Sequence, residues 1–189
     1  MAIQLDGTYD YVQTPISGIP AANAAQSISA WFWYSALPTT IQNIIAFGID
    51  ASSSSVQLGF RNYGAGEVIT VWKYGGTNLV SGALPAINTW HHAAYTFDAT
   101  THRLYVDGVE VSNSIVAPTT LAPTELDIGR WITNIESFVG RLEDLRIYNR
   151  SLAADEVATI YGTQGVDGIV YGLVSRWMAE ELGLSLRAS

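Results

Sequence analysis

The acidic residues are the first candidates for catalysis, because a glycosidase needs two carboxyl groups facing one cleft, about 5 to 10 Å apart. Two adjacent acidic pairs stand out, Glu143-Asp144 and Glu180-Glu181. Successive residues of a strand point to opposite faces of a sheet, so Glu143 and Asp144 are not expected to share a cleft. Glu180 and Glu181 belong to the C-terminal tail. We interpret all four as solvated surface carboxylates and predict that the protein is not an enzyme.

The three histidines, His91, His92 and His102, do not have the spacing of a metal-binding or catalytic motif. His91 and His92 are expected on opposite sides of a strand, which prevents them from sharing a metal ion. The chain also lacks cysteine, a G-x-S-x-G serine motif and a phosphate-binding glycine loop. We therefore expect the histidines to pack in the core or at its rim.

Aromatic residues carry the remaining chemical signal. Six tryptophans and ten tyrosines offer ring faces on which the CH groups of a sugar can pack. Some tryptophans fall within strand patterns and are expected in the core: Trp31, Trp33 and Trp90. Others lie close to glycine turns or beside a polar loop, where they would line a binding rim. These candidate ligand-binding residues are Tyr63, Trp72, Tyr74 and Trp131.

The charge balance limits the classes of partner. Nine Lys and Arg residues stand against 17 Asp and Glu residues, which gives a formal net charge of −8. Because an acidic surface repels phosphate groups, we expect neither nucleic acid nor an anionic membrane as a partner. No run of about eighteen apolar residues is present, so no membrane insertion is predicted. A strand pattern starts at Ala2 without a basic or apolar leader, so we expect no signal peptide in this sequence.

The elements that would position these residues are strands, organised around the stretch 90–111. Its first part alternates apolar and polar residues, and Asp107-Gly108 supplies a two-residue hairpin turn. Three antiparallel strands in a meander are therefore expected, and a second sheet must cover their apolar face. Similar patterns along the rest of the chain give about twelve strands, which predicts an all-β, two-sheet antiparallel jelly-roll sandwich.

Two local features are also predicted. The segments 2–5 and 9–14 are expected to pair as strands around the turn Asp6-Gly7. One short helix is expected after the last strand, with Ser151 as its N-cap residue and Gly162 at its end.

Four stretches, in this order, resemble one family. They are LDGTYDYV at 5–12, SISAWF at 27–32, the hairpin TWHHAAYTFDATTHRLYVDGVEV at 89–111, and FVGRLEDLRIYNRSL at 138–152. Together they resemble the laminin-G-like domains of the concanavalin A-like lectin/glucanase superfamily. The resemblance implies a jelly-roll fold and leaves function open, because this fold carries lectins, hydrolases, adhesion modules and virion parts. The hydrolases of the superfamily carry an E-x-D-x-E strand or a close variant, and this sequence has none.

The resemblance also implies a structural calcium ion. Many members of the superfamily bind one through backbone carbonyls and an acidic residue at the start of the last strand, and Asp144 matches that position. Calcium takes about six to eight oxygen ligands, of which Asp144 and carbonyls of the N-terminal strand would supply several. The alternative is that Asp144 pairs with Arg141 or Arg146, or faces water.

The family pattern predicts one domain, 1–162, followed by a C-terminal extension, 163–189. Apolar residues recur in the extension at helical spacing, which predicts an amphipathic helix that covers its own domain or an arm that packs on a neighbouring subunit. The residues that would contact a partner are Leu173, Val174, Trp177, Met178 and Leu182. Alternatively, residues 172–177 begin another strand of the sandwich.

These observations favour a non-catalytic interaction or structural module displayed on a surface assembly, such as a phage virion decoration or fibre-type protein. Its expected location is a virion surface or the extracellular space, with protein partners in an oligomer. The alternative is a carbohydrate-binding, lectin-like module, which the aromatic residues support. A glycoside hydrolase is the least favoured interpretation, because the carboxylate pattern is missing.

Overall fold

The computed structural model describes residues 2–8, 10–14, 17–21, 23–48, 55–62, 66–72, 78–115, 124–131, 136–163 and 173–177. The strands in these ranges form two antiparallel sheets, and the one helix among them lies between the twelfth and thirteenth strands. Nothing helical in these residues is long and apolar enough to cross a membrane. The predicted all-β, two-sheet antiparallel jelly-roll sandwich with a short helix is therefore confirmed.

The elements run in the following order along the chain: β1 (Ile3–Asp6), β2 (Val12–Gln13), β3 (Gln26–Trp33), β4 (Gln42–Gly48), β5 (Ser55–Asn62), β6 (Glu67–Trp72), β7 (Leu79–Val80), β8 (Trp90–Phe97), β9 (Thr101–Val106), β10 (Val109–Ile115), β11 (Glu125–Ile128), β12 (Val139–Tyr148), α1 (Ala154–Gly162) and β13 (Leu173–Trp177). Sheet A has the order β1-β12-β3-β8-β9-β10, and β13 pairs with β12 as well. Sheet B has the order β2-β11-β4-β5-β6-β7.

The predicted meander is present as β8, β9 and β10. Asp107 and Gly108 form the turn between β9 and β10, with φ values of 48° and 79°. Both values are positive, as the primed hairpin turn requires. This part of the sequence analysis is therefore confirmed.

Two local predictions are wrong. The segments around Asp6-Gly7 do not pair with each other, because β1 pairs with β12 in sheet A whereas β2 pairs with β11 in sheet B. The chain thus crosses between the sheets at this point and lies on both sides of the core. The helix begins at Ala154, and its N-cap is Ala153 instead of Ser151. The Glu156 carboxylate accepts a hydrogen bond from the Ala153 N–H at 2.9 Å, which satisfies the backbone group that a serine cap was expected to satisfy.

The core lies between the inner faces of the two sheets, and aromatic residues connect them. Phe32 of β3 meets Phe60 of β5 edge-on at 5.4 Å, and Phe60 stacks on Phe138 at 5.8 Å. All three side chains are withdrawn from solvent. Burying a side chain of this size stabilises the folded state by about 1.5–3 kcal/mol, so this contact contributes substantially to joining the sheets.

The helix α1 covers one end of the outer face of sheet A. Val157 and Ile160 of α1 pack with Ala94, Tyr105 and Tyr148 of the sheet. A polar anchor holds the connection to the helix, because the Ser27 hydroxyl donates to the Arg150 carbonyl at 3.0 Å and accepts from the Leu152 N–H at 2.8 Å. The other end of this face has no such cover from α1.

The C-terminal extension contributes a strand to sheet A. Residues Leu173–Trp177 form β13 and pair with the second half of β12, as the strand alternative predicted. Leu173 packs against the apolar residues beneath α1. Met178 and Leu182 lie outside the described residues, and a role of the extension in binding a partner stays a prediction.

Candidate functional site

Asp144, the predicted calcium ligand, lies at a β-bulge in β12. The pairing of β12 with β3 shifts by one residue between Glu143 and Arg146, and Asp144 has a left-handed φ of 49°. Its Oδ1 accepts from Arg146 Nε at 2.8 Å, and its Oδ2 accepts from Arg146 Nη2 at 2.6 Å. Because Asp144 is 0% exposed and Arg146 1% exposed, the prediction of a solvated carboxylate is wrong for Asp144. Glu180 and Glu181 lie outside the described residues.

These groups do not fit a calcium ion. Both oxygens that would ligate it accept hydrogen bonds from Arg146, and a guanidinium 2.6 Å from Oδ2 repels a divalent cation. Within the described ranges, no group of three or more His, Cys, Asp or Glu side chains is arranged to hold a metal. The pairing with Arg146, which was the alternative at this position, is what the structure shows.

His91 and His102 hold structural contacts in the core. His91 Nδ1 lies 2.8 Å from Asp107 Oδ2, and its Nε2 lies 2.9 Å from the Ala86 carbonyl oxygen. The ring therefore ties the turn between β9 and β10 to the segment before β8. His102 Nδ1 lies 2.5 Å from the hydroxyl oxygen of Tyr95, and both residues are buried. These two histidines pack as predicted.

His92 lies on the outer face of sheet A, beneath the end of α1. Its ring centre is 5.5 Å from that of Trp31 and 6.2 Å from that of Tyr161. The residue is fully buried, and neither ring nitrogen has a hydrogen-bond partner. Burial lowers the pKa of His92 to about 4, and the nearby carboxylates of Asp107 and Asp144 oppose this shift without cancelling it. The site therefore holds the neutral imidazole.

The outer face of sheet B carries a different set of candidate residues. The strand register places four of them in one row, since Asp127 is opposite Ala46, Ala46 opposite Gln57, and Gln57 opposite Trp72. Neighbouring strands are about 4.8 Å apart, so the row spans about 14 Å. Ala46 has a short side chain, which leaves room for the Trp131 indole to pack on it between a carboxylate and an amide.

Arg61 connects the polar and aromatic residues at one end of this face. Its guanidinium carbon lies 3.8 Å from the centre of the Trp72 ring, and its Nη2 donates to Gln57 Oε1 at 2.7 Å. Arg61 Nη2 is also 3.8 Å from Glu136 Oε2, which accepts from Asn43 Nδ2 at 2.9 Å. These contacts fix the orientation of the half-buried Trp72 indole.

The centre and the other end of the face carry a second pair of aromatic residues. Trp131 packs on Ala46 and is 5% exposed. Next to it, Arg130 Nε donates to Asp127 Oδ2 at 2.6 Å, and the Arg130 guanidinium lies 3.2 Å from the centre of the Tyr11 ring. An arginine thus lies over an accessible aromatic ring at each end of the row, and Trp131 lies at its centre.

Three buried polar atoms on this face have no hydrogen-bond partner: Ser55 Oγ, Gln57 Nε2 and Asp127 Oδ1. All three belong to the strands that flank β4, which carries Ala46. A buried polar atom without a partner costs about 1–3 kcal/mol, so each such group calls for an explanation. Because these atoms are withdrawn from solvent, a ligand hydroxyl would bond Gln57 Nε2 or Asp127 Oδ1 only after the groups that cover them move aside.

Two of the four predicted ligand-binding residues lie on this face: Trp72 is half-buried, and Trp131 is buried against Ala46. Tyr63 and Tyr74 lie outside the described residues. The polar members of the face, especially Gln57 and Arg61, were not among the residues predicted from the sequence. A usable signal was the strict alternation in β5, SVQLGFRN, which turns Val56, Leu58 and Phe60 to the core and the residues between them outward.

The expectation that three tryptophans belong to the core is confirmed for one of them. Trp31 is 6% exposed, because Tyr161 of α1 stacks on it with ring centres 5.5 Å apart. Trp33 and Trp90 are only half-buried on the outer face of sheet A. Trp33 and Trp90 lie one row beyond Trp31, the last residue that α1 covers. The alternation of residues in the sequence does not show where this cover ends.

A family model described as the concanavalin A-like lectin/glucanases superfamily matches residues 6–158. No curated protein matches the chain. Among solved structures, domain 4 of an extracellular arabinanase from Geobacillus stearothermophilus, in complex with arabinotriose, is similar at 20% identity and a TM-score of 0.65, over 85% of this chain and 76% of that one. A protein of Bacteroides ovatus described as carbohydrate-binding is similar at 18% identity and a TM-score of 0.68; the similarity covers 94% of this chain but 52% of that one. A heptameric pentraxin from Limulus polyphemus is similar at 13% identity and a TM-score of 0.65, over 85% and 81%.

Removing one partner of the Asp144–Arg146 pair should strongly destabilise the protein, because the remaining charge stays buried without compensation. We expect Arg146→Met to lower the free energy of unfolding by about 3–5 kcal/mol in urea denaturation. Arg103→Met is the matched control, because Arg103 pairs with Asp98 at 2.8 Å while both side chains are about one-third exposed. Its loss should stay within about 1 kcal/mol, and equal losses from the two variants would contradict the expectation.

Stability should fall in mildly acidic solution because of His92. The unfolded chain protonates this ring near its ordinary pKa of 6.5, whereas the folded protein resists protonation until about pH 4. Between these values the unfolded state binds more protons, so the free energy of unfolding decreases as the pH falls, by up to about 3 kcal/mol. Urea denaturation of the wild type and His92→Phe between pH 7 and 4.5 measures this component, which the variant should lack.

Two carboxylates with lowered pKa values contribute below that range. Hydrogen bonds from Arg103 and Arg150 lower the pKa of Asp98 and Glu156, so their contribution is lost at more acidic pH. Arg146 is the charged neighbour that reinforces the shift of His92. Titration of the His92 ring near pH 6.5 in the folded protein, followed by NMR, would show that the expectation is wrong.

The calcium prediction has a direct test. Since Asp144 already holds Arg146 with both oxygens, we expect the melting temperature to be the same in EDTA and in millimolar calcium chloride. A ligand that binds only the folded state would raise the melting temperature by mass action. If calcium raises the melting temperature of the wild type but not that of Asp144→Asn, Asp144 is a calcium ligand and the expectation is wrong.

Proposed function

The chain belongs to the concanavalin A-like lectin/glucanases superfamily, and from this membership and the geometry of sheet B we propose that it is a carbohydrate-binding module. The observation that carries the proposal is the outer face of sheet B. There, the half-buried Trp72 and the buried Trp131 lie on one face with amide, guanidinium, carboxylate and hydroxyl groups. Three polar atoms of this face, Ser55 Oγ, Gln57 Nε2 and Asp127 Oδ1, lack a hydrogen-bond partner. Aromatic rings pack on the CH groups of a sugar, while planar polar groups bond its hydroxyls.

Structural neighbours add support at the level of the fold. One of them is a domain in complex with arabinotriose, and another is described as carbohydrate-binding. The same sandwich therefore occurs in a domain that holds a glycan and shares only 20% sequence identity with this chain.

The proposed module binds its ligand without cleaving it. A glycosidase needs one carboxyl group that donates a proton and a second that attacks or activates water. On the face of sheet B, Asp127 accepts from Arg130 at 2.6 Å and Glu136 accepts from Asn43 at 2.9 Å. Both groups are arranged as acceptors that hold their neighbours in place, which supports binding instead of turnover.

Display on a phage virion or in a fibre remains a finer proposal about where this module acts. The feature that supports a protein partner is β10, which forms an edge of sheet A and exposes Val109 and Ile115, at 64% and 77%. An exposed apolar edge strand favours pairing with another chain. Glycan binding at sheet B is compatible with such an assembly, because β10 belongs to the other sheet.

Replacing Trp72 by alanine should weaken glycan binding by about tenfold or more, equivalent to about 1.4 kcal/mol. The reason is that the variant loses the half-buried indole on which Arg61 lies. A glycan array with the wild type selects the ligand, and isothermal titration calorimetry then measures both proteins. Leu37→Ala is the control, since Leu37 is 55% exposed in the loop after β3, and it should bind as the wild type does.

The two possible failures have different meanings. An array on which the wild type binds no plant, bacterial or host glycan would contradict the proposed function. A glycan that binds Trp72→Ala and the wild type equally would show that sheet B is not the binding face.

A further inference from the structure

We propose that a second, separate site lies on the outer face of sheet A and takes an acidic saccharide, with its carboxylate on Arg141 and its sugar rings on Trp33 and Trp90. These three residues together with Gln4 form what we call the Arg141 patch. The proposal concerns the sheet opposite the one that carries Trp72, so it does not rest on the function proposed for sheet B.

The strand register assembles the Arg141 patch. Gln4 of β1 is opposite Arg141 of β12, Arg141 is opposite Trp33 of β3, and Trp33 is opposite Trp90 of β8. All four point outward, because the alternate residues of these strands fill the core. The row crosses four strands, and the three spacings between them, about 4.8 Å each, give a length of about 14 Å, enough for a short oligosaccharide.

The patch is open because α1 ends before reaching it. Tyr161, near the end of α1, stacks on Trp31 and closes the row of Trp31 and His92. In the next row, Trp33 and Trp90 remain half-buried, while Arg141 and Gln4 are exposed. Tyr161 itself is 39% exposed and forms an aromatic border on the side of the helix. The result is a surface on which the Trp33 and Trp90 indoles are each partly accessible.

Arg141 differs from the other arginines in its pairing. The five other arginines whose side chains the structure describes each lie 2.6–3.8 Å from a carboxylate oxygen: Arg61, Arg103, Arg130, Arg146 and Arg150. Arg141 forms no such ion pair with a described residue. It donates from Nε to Gln4 Oε1 at 3.0 Å and lies with its guanidinium carbon 4.6 Å from the centre of the Trp33 ring.

This unpaired guanidinium defines the class of ligand. In a chain with a net charge of −8, carboxylates outnumber cations almost two to one, and yet this exposed cation pairs with none of the carboxylates in the described ranges. The contact with Gln4 uses Nε, which leaves the two terminal nitrogens directed away from it as a fork that matches the two oxygens of a carboxylate. The flat indole faces beside it suit the CH face of a sugar ring. A saccharide that carries carboxylates, of the uronic-acid type, satisfies both features.

The test compares charged and neutral forms of the same sugar. The probes are trigalacturonate, its methyl-esterified form and an alginate trimer, titrated by calorimetry into the full chain. We expect at least one of the two acid trimers to bind. If trigalacturonate binds, its methyl-esterified form should bind more weakly. Added salt should reduce the affinity, because the charges are near the surface. Arg141→Gln should lower affinity about tenfold and Trp33→Ala by a similar factor. Trp33→Phe should retain part of the binding if Trp33→Ala fails to fold.

Arg103→Gln is the matched control, because Arg103 is an exposed arginine of the same sheet that already pairs with Asp98. It should bind the acid trimer as the wild type does. The proposal is overturned if no acid trimer binds, if Arg141→Gln binds one unchanged, or if a glutamate tripeptide binds as tightly as the saccharide. A neutral glycan whose binding depends on Trp72 would in each of these cases leave the function proposed for sheet B intact.

Discussion

The outer face of sheet A depends on one buried ion pair, between Asp144 and Arg146. Withdrawing two charges from water costs several kcal/mol for each ion, and the two hydrogen bonds at 2.6 and 2.8 Å offset that cost only while both partners are present. The pair lies where β12 bulges, and the bulge changes which residues face the core. Leu142 points inward before it, and Leu145 and Ile147 point inward after it, which a regular strand with a period of two would not allow. The same strand can therefore hold β1 along its first half and β13 along its second.

How far the fold follows from the sequence depends on how local each pairing is. The meander of β8, β9 and β10 is local, and Asp107-Gly108 specifies its turn, so alternation and turn chemistry predict it. The partner of β1 lies more than 130 residues away in β12, and no local pattern encodes that choice. The bulge at Asp144 is a second limit, since the argument that Glu143 and Asp144 face opposite sides assumes an unbroken period of two. Burial of Asp144 against Arg146 follows only once the register of β12 with β3 is known.

The candidate sites show the same division. Residue type alone pointed to Trp72 and Trp131, because large aromatic rings near polar loops are plausible sugar contacts wherever the sheet places them. The polar residues that surround them come from different strands, and their association requires the register that sets Asp127, Ala46 and Gln57 in one row. Arg141 drew attention in the sequence only as a possible partner of Asp144. In the structure Asp144 pairs with Arg146, five residues after Arg141, and Arg141 lies beside Trp33 instead.

The two outer faces differ in how their charges are balanced, and under the two proposals this difference would give each face a distinct selectivity. On sheet B, Arg61 and Arg130 lie beside the carboxylates of Glu136 and Asp127, so a charged ligand would gain little there. On sheet A, Arg141 forms no ion pair with a described carboxylate, so an anion would gain an interaction there, weakened by salt because Arg141 is exposed. Packed sheets are about 10 Å apart and the core between them is solid, so one short saccharide cannot reach both faces. Two ligands of different charge would instead bind independently of each other. Binding at one face would strengthen binding at the other only for a single polymer long enough to pass around the edge of the sandwich.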